Sequence, residues 1–89
     1  MSFSTIDPIL REWSRANRIP LYTEYRGAPV RSFDVVIPTG ERRQIWVEKN
    51  GDLTVIVWDY GKRRKKFDAT LSNLYRQLDA ALHQAKAWK

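Results

Sequence analysis

The chain has no cysteine, one histidine and one methionine, and only four glycines and four prolines in 89 residues. Without a thiol there is no disulfide scaffold, no thiolate zinc site and no cysteine nucleophile. His83 and scattered carboxylates offer no ligand set for a metal, so no cofactor is expected. No nucleophile elbow surrounds any serine, and Gly27, Gly40, Gly51 and Gly61 stand too far apart for a phosphate loop. The expectation is therefore a protein that is not an enzyme, with no catalytic and no metal-binding residues.

Long apolar runs are missing too. The longest clean one is Val55-Ile56-Val57-Trp58, far short of the roughly 20 residues a helix needs to cross lipid. The segment Met1 to Pro8 carries an acid and no basic leader, so a signal peptide is not expected and the cytoplasm is the expected location.

Aromatic residues make up 12% of the chain and hydrophobic residues 43%. That composition describes a folded globular domain, expected to be single and to span 1–89. A chain this short has a thin core. Four Trp, four Tyr and three Phe suit that need, since each buries roughly 150–250 Å².

Asp7-Pro8 opens a helix in which Ile6, Ile9, Leu10 and Trp13 recur at helical spacing, with Asp7 as expected N-cap and Asn17 or Pro20 as its stop. Short β runs follow at Leu21–Arg26, Phe33–Ile37, Gln44–Lys49 and Asp52–Tyr60, separated by Gly27-Ala28-Pro29, Pro38-Thr39-Gly40 and Asn50-Gly51. Asn-Gly is the strongest hairpin signal among them. A long helix closes the chain through Leu71, Leu74, Tyr75, Leu78, Ala81, Leu82, Ala85 and Trp88. Asp68, Thr70 and Ser72 are its candidate N-caps. The expected fold is α+β: a two-layer domain with an antiparallel β-meander of four to five strands flanked by N- and C-terminal helices.

A two-residue Asn-Gly turn sets Lys49 opposite Asp52, and a turn at Pro38-Thr39-Gly40 sets Ile37 opposite Arg42. The core face is then Phe33, Val35, Ile37, Trp46, Leu53, Val55 and Val57. The opposite face carries Ser32, Asp34, Val36, Arg43, Ile45, Val47, Thr54, Ile56 and Trp58. Its stripe of Val36, Ile45, Val47, Ile56 and Trp58 is a candidate protein interface. An apolar patch of that size calls for a cover, most simply a second copy in a homodimer or another protein.

Charge supplies the alternative. Residues 1–61 balance eight basic against eight acidic side chains, so the whole net charge of +6 lies in residues 62–89. Most of it is one run, Lys62-Arg63-Arg64-Lys65-Lys66. That run, with Arg42 and Arg43 in support, is a candidate polyanion site, and the aromatic rings of Trp58, Tyr60 and Phe67 beside it suit base stacking. The same run equally suits an edge strand guarded against aggregation. The first expectation is a non-catalytic protein-interaction or self-associating module; the alternative is nucleic-acid or other polyanion binding. No membrane partner is expected. The element order resembles the double-stranded RNA-binding domain in topology alone. Phe67-Asp68-Ala69 follow Lys65-Lys66 where that family has Ala and Lys, and Asp52–Tyr60 is an added strand, so no family is assigned.

Overall fold

The computed structural model describes residues 3–25, 28–50, 52–59, 61 and 63–88. A single turn of 3₁₀ helix, Phe3–Thr5, leads into α1 (Asp7–Asn17). Five strands follow: β1 (Leu21–Tyr25), β2 (Ala28–Val36), β3 (Arg42–Asn50), β4 (Asp52–Trp58) and β5 (Arg64–Ala69). The chain closes with α2 (Leu74–Ala87). All strand pairs are antiparallel and the sheet order is β1-β2-β3-β4-β5. The fold is thus the expected α+β meander between two helices, and both helices cover the same face of the sheet.

The ends of α1 differ in detail from expectation. Ile6, not Asp7, is the N-cap, and Pro8 lies in the first turn. The Asp7 carboxylate instead takes a paired contact from β2: Arg31 Nε donates to Oδ1 at 2.7 Å and Nη2 to Oδ2 at 3.0 Å. The helix leaves through Arg18 in the left-handed region (φ 54°) rather than through Asn17. Helix α2 starts later than its apolar spacing suggests. Its N-cap is Asn73, whose Oδ1 accepts from the Thr70 amide. Leu71 therefore precedes the helix and is exposed, as is Tyr75, and the buried stripe is Leu74, Leu78, Ala81, Leu82 and Ala85.

Trp13 is the centre of the core. Its ring is fully buried and meets Phe33 edge-on, with centroids 4.9 Å apart and planes at 70°. Its indole N–H would be a stranded donor there, and the Asp79 carboxylate on α2 accepts it at 2.9 Å. One side chain thereby ties α1, α2 and the sheet together.

The Asp7–Arg31 pair ties α1 to the sheet in the same way, with both side chains largely buried. Hydrogen bonding to Arg31 holds the Asp7 carboxyl below its ordinary value of 3.8. A depressed carboxylate pKa means that its stabilisation is complete above that ordinary value and fades as pH falls through the folded pKa. Asp7→Asn is expected to cost about 1–2 kcal/mol at neutral pH. The gap between variant and native urea midpoints should narrow as pH falls below 3.8 and close once it passes through the folded pKa of Asp7. A gap that persists unchanged in acid would show that the charge pair is not its source.

Sheet register is where the sequence reading needs correcting. The β2–β3 hairpin closes with the Ile37 amide donating to the Glu41 carbonyl at 3.0 Å, and Val36 pairs with Arg42. Its loop is the three residues Pro38-Thr39-Gly40, with Gly40 at φ +92°, a conformation that glycine adopts at no steric cost. The β3–β4 hairpin pairs Asn50 with Asp52 and Lys49 with Leu53. Gly51 itself, like Arg26, Gly27, Tyr60, Lys62 and Lys89, lies outside the described residues. Both hairpins differ from expectation by one residue, and both slips move β3. Phe33, Val35, Ile37, Leu53, Val55 and Val57 lie in the core as expected. In β3 the phase is inverted: Ile45 and Val47 are buried beneath the helices, at 0% and 1% exposure, and Trp46 stands on the opposite face.

Candidate functional site

The face of the sheet turned away from the helices is the candidate site. Alternation along each strand fixes what it carries. One row across the sheet is Ser32, Trp46, Ile56 and Lys66, each paired with the next. The adjoining row is Asp34, Gln44, Trp58 and Arg64. Val36 and Arg42 pair beyond it, and Glu48, Thr54 and Asp68 form the row on the other side. Ile56 is buried yet stands apart from the main core cluster.

This placement redistributes the candidate interface residues. Ile45 and Val47 belong to the core and cannot contact a partner without unfolding, which corrects the expectation for both. Ile56, Trp58 and Val36 do lie on the open face, with Val36 at 63% exposure near its margin. Trp46, read from the sequence as core, joins them. The signal for Trp46 was present in β3 itself. Ile45 and Val47 alternate with Gln44, Trp46 and Glu48, and strict alternation puts the two aliphatic residues inside.

The basic candidates also separate. Arg64 and Lys66 project onto the open face from β5, the edge strand. Arg42 is exposed on the same face. Lys65, between them, has the other facing: its Nζ lies 3.5 Å from Gln84 Oε1 on α2 and 5.5 Å from the Phe67 ring centroid. Arg63 is tied to Asp59 at 2.6 Å and lies over the Trp88 ring. That bond holds the Asp59 carboxyl below its ordinary range. Arg43 shares the core-facing side, 2% exposed, where Nη2 donates to Glu41 and Nη1 to the Arg42 carbonyl. It therefore cannot support an anion on the open face, a second correction. Lys62 lies outside the described residues, as does Tyr60, read as one of the stacking rings. Phe67 packs against the core from the helix side.

The two indoles are oriented by their N–H ends. Trp46 Nε1 donates to Gln44 Oε1 at 2.8 Å, and Gln44 Nε2 reaches Asp34 Oδ1 at 3.4 Å. Trp58 Nε1 donates to the Gly61 carbonyl at 3.3 Å. Trp46 and Trp58 are diagonal neighbours on adjacent strands, a relation that spaces side chains by about 7–8 Å. They line one shallow groove of about 210 Å³ with Ile56, Glu48 and Arg64. An adjoining groove of about 380 Å³ is lined by Glu48, Ile56, Arg64 and Lys66. The indoles thus share a concavity with Arg64 and Glu48, and Lys66 joins those two charged side chains in the adjoining groove.

Among the described residues, no three His, Cys, Asp or Glu side chains come together as a metal site. No described helix is long and apolar enough to cross a membrane. Comparison with protein-family models, curated proteins and solved structures finds no match to this chain.

Proposed function

We propose that the protein is a non-catalytic binding module whose open sheet face takes up a single-stranded nucleic acid. The observation that carries this reading is a pair of grooves that have Ile56, Glu48 and Arg64 in common: Trp46 and Trp58 line one, and Lys66 lines the other from the edge strand. Stacking on an aromatic face needs an unstacked base, and a cationic strip beside it neutralises the phosphates between bases. A duplex offers the phosphates but not the base faces. Edge protection accounts for cations on β5, but it does not account for two indoles on the surface they border.

The placement of Ile45 and Val47 in the core weakens the protein-partner reading. It rested on a continuous aliphatic stripe, and what remains is a mixed surface of aromatic, polar and charged side chains. A second copy or another protein on this face stays as an outcome of the same test.

The test is fluorescence anisotropy with labelled single-stranded and duplex oligonucleotides across a salt series. Three cations, Arg42, Arg64 and Lys66, acting on phosphates give a slope of log affinity against log salt of about −2. Single strands should bind more tightly than duplexes. No binding at low salt, combined with a salt-tolerant dimer in light scattering, would overturn the reading and assign the face to a second copy.

A further inference from the structure

A carboxylate in a groove meant for phosphates needs an explanation, and Glu48 stands in both grooves of the open face. It is exposed and forms no ion pair among the described residues, although Arg64 and Lys66 line the same concavity. Asp34, the other acid close to the indoles, already accepts from Gln44. Glu48 follows Trp46 by two residues on one strand and so projects from the same face, about 7 Å further along. A base stacked at Trp46 would turn an edge toward that carboxylate.

Resting on the nucleic-acid reading, we infer that Glu48 reads the base edge and selects bases that carry an exocyclic amino group. An ionised carboxylate only accepts hydrogen bonds. At the position-4 substituent the N4 amino group of cytosine donates to it, whereas O4 of uracil or thymine presents a second acceptor and is repelled, which leaves those bases only an N3–H flanked by two carbonyl oxygens. The same charge keeps phosphates off this end of the groove and directs them toward Arg64 and Lys66 on the edge strand. One side chain thus supplies both base choice and strand placement.

Short oligocytidylate and oligouridylate separate this claim from the reading beneath it, because the two differ at the pyrimidine edge and share the backbone. The native protein should bind oligocytidylate about tenfold more tightly. Glu48→Gln, whose amide can donate as well as accept, should bring the two within about twofold, chiefly by improving oligouridylate. Equal binding of both oligomers by the native protein, or a preference that Glu48→Gln leaves intact, overturns the role of Glu48 and leaves the nucleic-acid reading standing. Failure of the native protein to bind either oligomer at low salt overturns both.

Discussion

Ile45→Asp should abolish cooperative unfolding, while Trp46→Ser, one residue along the same strand, should leave the domain folded. Ile45 is fully buried between β2 and β4, paired with Phe33 and Val57 and covered by the helices. A carboxylate there has no partner and loses its hydration, which costs more than about 4 kcal/mol. A domain of this length has about 5–10 kcal/mol of stability in total. Trp46 is half-buried on the open face, and its indole N–H donates to the neighbouring Gln44 side chain. Its loss should move the thermal midpoint by no more than a few degrees. Thermal melts followed by circular dichroism read both variants. The reverse pattern, with Trp46→Ser unfolded and Ile45→Asp intact, would restore the register in which β3 is turned over.

The second large effect is on binding. Arg64→Gln combined with Lys66→Gln removes both edge-strand cations from the open face while leaving the backbone pairing of β5 with β4 in place. Each phosphate contact on a single strand adds about 0.7 to the salt slope, so the double variant should lose about 1.4 of it. Affinity at low salt should fall by more than about tenfold. The contrasting pair is Arg63→Gln with Lys65→Gln. Those side chains are turned toward Asp59, Trp88 and Gln84 on the helix side. Neutralising them should change the slope far less. Equal losses from both pairs would mean that overall charge, and not the open face, attracts the polyanion.

The contrast between neighbours in one basic run also shows how much of this protein is legible in its sequence. Periodicity located both helices, and turn residues located β1, β3 and β4 to within two residues, because these are local properties. Strand β2 instead begins at Ala28, inside the segment that Gly27-Ala28-Pro29 marks as a turn, and no local signal separates strand from loop in the basic run that forms β5. The α+β meander follows from their order. Facing is a different matter, since it depends on counting residues across each turn. Two one-residue differences, at Pro38-Thr39-Gly40 and at Asn50-Gly51, cancelled for β4 and accumulated on β3. The β2 and β4 side chains therefore fell on the correct faces while Ile45, Trp46 and Val47 were exchanged. Alternation within β3 carried the correct answer, and turn arithmetic overrode it. The helix ends show the same limit: Asp7 is a good N-cap residue, but a long-range pairing with Arg31 claims its carboxylate. Arg43 illustrates it as well, since nothing local in Arg42-Arg43 says that one guanidinium faces solvent and the other the core.

Contact through the open face is reported directly by the tryptophan indole N–H signals. Titrating isotopically labelled protein with a single-stranded oligonucleotide at low salt should shift the Trp46 and Trp58 indole resonances together and leave Trp13, fully buried beneath the helices, unmoved. Shifts confined to other tryptophans, or none at saturating oligonucleotide, would contradict it.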